Sequence, residues 1–156
     1  MCEWHSELFP DYVCSAPRER GSRLCIFHKE EKDETAFIKT FSDWIAWKAA
    51  SGEPLDMTGF VFPGSIATSE TAGQAHIPIE YEADVILSSA RIGGSAAFDG
   101  LQLKGSLFLD HCVVHGTVFL AESLIGGDLV LRSAIVEGNL HAGGARMTGP
   151  PWSVHF

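Results

Sequence analysis

Six glycines, Gly94, Gly105, Gly116, Gly127, Gly138 and Gly149, follow one another at intervals of 11 residues, and Ala83 holds the same phase one unit earlier. Aligned on that phase, the chain reads ADVILSSARIG, GSAAFDGLQLK, GSLFLDHCVVH, GTVFLAESLIG, GDLVLRSAIVE and GNLHAGGARMT. Apolar or small side chains recur two, four, seven and nine residues after the phase residue. They run from Val85, Leu87, Ala90 and Ile92 through Leu107, Leu109, Cys112 and Val114 to Leu140, Ala142, Ala145 and Met147. That spacing is not helical. It describes pairs of inward side chains on short extended segments, because alternate residues of a strand point the same way.

One such pair of strands buries almost nothing by itself. Stacking equivalent turns of chain gives each inward residue a like neighbour above and below and closes backbone hydrogen bonds between turns. The pattern therefore predicts a mainly β fold, a solenoid. Eleven residues make a very small closed turn, so two units per turn are expected, about 22 residues on four short sides, with a rise of roughly 4.8 Å set by strand spacing. The phase glycines, with Gly100, Gly126, Gly143 and Gly144, are expected at corners where φ is positive or close packing excludes a Cβ.

The segments Gly127–Leu131 (GDLVL) and Gly138–Ala142 (GNLHA) carry a likeness. They resemble the sides of pentapeptide-repeat proteins, whose four-sided β-helices place an inward aliphatic or aromatic residue and a small one on each five-residue side. The resemblance implies a right-handed quadrilateral β-helix. It covers the architecture of the stretch from about Ile79 to Gly149 and departs from the strict repeat, because fives alternate with sixes here.

Ahead of the repeat, Cys2, Cys14, Cys25 and His28 offer four soft or borderline ligands close to the N-terminus. Cys25-x-x-His28 has the short spacing that lets two side chains of one turn meet a tetrahedral ion. The long separation of Cys2 from Cys14 departs from the usual knuckle. A structural zinc site is expected, with unliganded cysteines as the alternative and His5 as a substitute ligand if His28 points elsewhere. The stretch Leu24-Cys25-Ile26-Phe27-His28-Lys29 is similar to a small zinc-binding prelude that precedes pentapeptide-like repeats in some prokaryotic proteins. Four protein ligands leave no open position, so such an ion would fold a cap and do no chemistry.

Three regions are expected: a zinc-binding cap over 1–32, a covering helix over 33–52, and a solenoid over 53–156. Asp33 is the expected N-cap of a helix from about Glu34 to Ala50, and Gly52 its terminator. Phe37, Phe41, Trp44, Ile45 and the stem of Lys48 form its apolar stripe, expected to cover the open first turn, while Trp47 falls at a rim. Leu55–Phe62 reads as a first imperfect turn, and about 64–78 as a polar insertion leaving the solenoid wall.

The chain has 156 residues and a formal charge of −9. Residues 1–82 hold 14 acidic and 7 basic side chains, and residues 83–156 hold 6 and 4. Clustered Lys and Arg are missing, which argues against direct nucleic-acid binding or an anionic membrane surface. No run approaches the roughly 18 apolar residues of a membrane span, and the N-terminus lacks the basic-then-apolar order of a secretory signal. A cytoplasmic protein is expected.

Catalytic constellations are not evident. Asp99 and Asp110 share a phase but belong on opposite walls when two units make a turn, so they read as solvated structural groups. His111, His115 and His141 should face outward without a third partner, and Cys112 inward as a core residue. Phe108 and Phe119 are expected on outer faces, where aromatics can anchor a partner. Trp152 and Phe156, after the breaking prolines, are expected to cover the last turn or to meet a second copy in a dimer. The sequence thus predicts a non-enzymatic scaffold that presents a rigid solenoid surface to a protein. A DNA-mimic inhibitor of a type II topoisomerase and an enzyme of unknown class are the alternatives. Rod shape and acidity favour mimicry, whereas about three turns, ~15 Å at the strand spacing, make a short rod.

Overall fold

The computed structural model describes residues 1–70 and 73–148, and the backbone of 154–155. Among the described residues the one helix is α1 (Glu34–Ser51), and the remaining regular structure consists of two-residue strands stacked in parallel into four walls. The first wall holds Leu55–Asp56, Val85–Ile86, Leu107–Phe108, Leu129–Val130 and Val154–His155. The second holds Val61–Phe62, Arg91–Ile92, Val113–Val114 and Ile135–Val136. The third holds Ala75–His76, Ile66–Ala67, Ala96–Ala97, Val118–Phe119 and Leu140–His141, and the fourth Glu80–Tyr81, Gln102–Leu103, Leu124–Ile125 and Arg146–Met147. The chain visits the walls in this order repeatedly, which is the path of a β-solenoid.

Register follows the sequence period. Leu107 pairs with Leu129, Val114 with Val136, Val118 with Leu140 and Ile125 with Met147, every partner two units further along the chain. Inward residues therefore stack on their counterparts. Leu55, Val85, Leu107 and Leu129 form one buried row, and Met57, Leu87, Leu109 and Leu131 the next. Each such side chain contributes roughly 1.5–3 kcal/mol by leaving water.

Two kinds of corner account for the length of the unit. At one, Cys112 donates its N–H to the Leu109 carbonyl (3.3 Å) while His111 has φ 56°, the pattern of a type II turn. Gly59, Ser89, Gly100, Glu122, Ser133 and Gly144 hold the same left-handed position in the other units. The described phase glycines, Gly94 to Gly138, sit at the other corner without positive φ, and there the expectation of close packing is the one that applies. A Cβ on Gly105 would lie 2.5 Å from the Ala83 carbonyl carbon and 2.6 Å from the Asp84 nitrogen, so the preceding coil excludes it.

The residues after Gly94, Gly105 and Gly116 have a role not anticipated from sequence. The Ser95 hydroxyl accepts from Thr117 N (3.1 Å), Thr117 Oγ1 from Asn139 N (3.2 Å) and Ser106 Oγ from Asp128 N (2.9 Å). Small polar side chains thus satisfy backbone donors of the next coil that the short strands leave over.

The helix begins where expected. The Asp33 carboxylate accepts from Ala36 N (2.7 Å), and Gly52 ends the helix with φ 69°. Phe37, Phe41 and Ile45 are buried, and the Phe41 and Phe62 rings meet edge to face at 5.4 Å. Trp47 is exposed, as its position off the stripe implies. At the edge of the second wall, Val61 donates its N–H to the Phe27 carbonyl (2.7 Å). The Lys32 ammonium donates to the carbonyls of Phe27 and Val61 at 3.3 and 2.6 Å, and burial pushes its pKa down to about 8. The edge strand that would otherwise be open is closed by these contacts.

The segment over 64–78 differs from expectation. Instead of leaving the wall, it places Ile66–Ala67 and Ala75–His76 side by side in the third wall, with Ile66, Ala67, Ala75 and Ile77 buried. Leu55 pairs with Val85 and Val85 with Leu107, so the first coil takes more chain than the second. The added length forms an additional strand, against which α1 packs. The physical reason is again an open edge, here that of the third wall, whose underside one more strand shields.

Candidate metal centre

The Cys2, Cys14, Cys25 and His28 side chains converge as the sequence predicts. All four are buried, and their ligand atoms lie within 4.8 Å of one another, close enough to hold a metal ion. Cys14 Sγ is 3.8 Å from Cys25 Sγ, and His28 Nδ1 is 3.2 Å from Cys25 Sγ and 3.5 Å from Cys2 Sγ. No disulfide joins the cysteines.

Local structure aims each donor inward. A turn closed by His28 N on the Cys25 carbonyl (3.2 Å) brings Cys25 and His28 together. Cys2 is fixed by its own N–H to the Ala16 carbonyl (3.1 Å), and its sulfur accepts from Cys25 N (3.3 Å). His28 Nε2 lies 2.9 Å from the Thr58 carbonyl oxygen, which can only accept. Nε2 therefore carries the proton, and the Nδ1 lone pair is left free for an ion, as an outer-shell partner fixes a ligating histidine. Trp4 stacks on the imidazole at 4.8 Å, and Phe60 meets it edge-on at 5.3 Å, so aromatic rings keep water away.

Hydrogen bonding with Cys25 holds the Cys14 thiol below its ordinary pKa, and the same contact together with burial pushes Cys25 up. His5 is exposed, and its ring nitrogen is 3.5 Å from the Glu3 carbonyl, so His28 supplies the imidazole.

The other candidates are dispersed. Asp99 accepts from Ala121 N (2.9 Å) above the third wall, and Asp110 from the Ser88 hydroxyl (2.6 Å) beside the first. His115 pairs with Glu137 (2.9 Å), His141 stacks on Phe119 (5.4 Å), and His111 meets Phe9 (6.1 Å). Cys112 is buried, and burial pushes its thiol up to about 12. Phe108 and Phe119 are half-buried on the first and third walls, so they do not form one surface. Trp152 and Phe156 lie outside the described residues. Among the described residues no helix is long and apolar enough to cross a membrane. Comparison with protein-family models, with curated proteins and with solved structures found no match.

Proposed function

We propose that this chain is a non-enzymatic scaffold of the cytoplasm that offers a rigid β-solenoid surface to a protein partner, with a zinc ion folding its lid. The observation that carries the reading is the closed donor set of Cys2, Cys14, Cys25 and His28. Zinc bonds of ~2.3 Å to sulfur and ~2.0 Å to nitrogen give tetrahedral edges of about 3.8 Å between sulfurs and about 3.5 Å from sulfur to nitrogen. The Cys14–Cys25 and Cys2–His28 separations of 3.8 and 3.5 Å support that ion. Four protein donors leave it no place for substrate, and the dispersed carboxylates and histidines give no alternative focus for catalysis.

The finer architecture belongs to the same reading: a right-handed, four-sided relative of pentapeptide-repeat helices with two repeat units per turn. The pairing of each strand with the one two units later supports the turn length. Exposed Ile135 and Leu140 on the last described coil support self-association at that end.

The test is a pull-down from native cytoplasm with the intact chain, paired with elemental analysis. One zinc per chain and a stoichiometric protein partner are expected. Turnover in a substrate screen would overturn the reading, as would inhibition in a topoisomerase supercoiling assay. Light scattering that gives a monomer mass at micromolar concentration would remove the self-association.

A further inference from the structure

The chain between Cys2 and Cys14 leaves the metal cluster as an arm and returns to it. Ser6 and Phe9 carbonyls accept from Phe9 N (3.3 Å) and Tyr12 N (3.2 Å), which curls the arm back. Its tip reaches the solenoid, where Phe9 meets His111. Between arm and first wall runs an open groove of about 510 Å³, within the range of ligand sites. Phe9 lines one bank, and Ile86 and Phe108, the outward residues of successive coils, line the other.

The groove has a one-sided charge. The Asp11, Asp56 and Asp110 carboxylates border it, and no Lys, Arg or His is among the described residues that line it. Asp56 and Asp110 accept only from hydroxyl and backbone donors, at Thr58 and Ser88, and none of the three carboxylates meets a cation among the described residues. Some acids elsewhere do find cations, as Glu19 does in Lys29 (2.9 Å) and Glu82 in Lys104 (2.8 Å). Apolar floor and uncompensated negative rim together select their complement.

We propose that this groove binds an extended peptide segment in which large apolar side chains alternate with Lys or Arg. Apolar side chains lie against Ile86 and Phe108, and cationic ones reach Asp11, Asp56 and Asp110. This rests on the scaffold reading and names the partner's chemistry.

Fluorescence polarisation of the zinc-loaded full chain tests it. The probes are a short fluorescein-labelled peptide alternating Leu with Arg and its counterpart alternating Leu with Glu. The Leu/Arg peptide should bind at least about tenfold tighter, with the advantage shrinking as salt screens the rim. Asp11→Lys, on an exposed residue, and Phe108→Ala should each weaken it about tenfold, and Phe119→Ala on the third wall should not. Equal binding of the two peptides, or indifference to Asp11→Lys, overturns the proposal. So does equal loss in Phe119→Ala. A partner captured by the native chain and retained by Asp11→Lys would defeat this groove while leaving the scaffold reading in place.

Discussion

The front of the column and its last described coil are covered to very different degrees. At the front, everything up to Gly52 lies outside the repeat and closes the first coil with a helix, a metal-ligand cluster and a packed set of rings in which Phe27 stacks on Phe60 at 4.6 Å. At the back, Leu140 is 44% exposed, whereas Val118, its partner at the same inward position one coil earlier, is wholly buried. The repeat alone therefore makes an interior only where coils lie on both sides. An end requires sequence of another kind.

The strongest way to break this contrast is at the lid. On the proposed zinc reading, chelation or Cys25→Ser is expected to strip the ion and unfold residues 1–32, since a structural zinc carries on the order of 10 kcal/mol of folding energy. The solenoid should keep its β circular dichroism. Thiol titration checks it: no cysteine should react in the zinc-loaded chain, the three lid cysteines after chelation, and Cys112 only on unfolding. If Cys112 reacts together with the lid, the two regions are one cooperative unit.

Core substitutions sharpen the comparison along the column. Leu109→Ala, flanked by coils on both sides and wholly buried, should cost about 2–5 kcal/mol in a denaturant melt. Leu140→Ala, nearly half exposed, should cost less than about 1 kcal/mol. Equal losses would mean that the back end is covered in solution.

Backbone approach predicts a further gradient. Gly105→Ala forces a Cβ into the coil beneath and should destabilise by at least about 2 kcal/mol. Gly143→Ala has nothing within 4 Å and should be neutral or stabilise by up to about 1 kcal/mol. Thermal melts of the pair decide it.

A last effect appears only in alkali. Burial raises the Cys112 thiol from 9 in its ordinary state to about 12, so between those values the folded chain binds the proton that the unfolded chain has lost. Stability from this group is whole below pH 9 and declines as pH rises toward 12. Cys112→Ala should flatten that part of the profile while leaving neutral stability lowered by its lost volume.

Much of this was legible in the sequence because each cue was physical and local. The inward rows, Asp33 and Gly52 at the helix ends, and the four metal donors all announced themselves by spacing. The left-handed corner was legible only at Gly100 and Gly144, since glycine fills three of its seven described positions, and Ser89, His111, Glu122 and Ser133 disguise it. The extra strand at Ala75–His76 was hidden because the added length put it out of phase, although the alternation of Ala75 with Ile77 was its one signal. The groove was unreadable for a different reason. It joins an arm near position 9 to the first wall at 86 and 108, and no periodicity links the arm to that wall.

The two-unit register carries a consequence for how such a chain can change over generations. Duplicating residues 105–126 would add a storey with every wall, corner and polar rung still opposite its kin, whereas duplicating 105–115 alone would send the later units to the opposite faces. Height is thus a quantised trait, altered only in steps of two units. The lid and its groove, anchored to the lowest floors, would be untouched by each step.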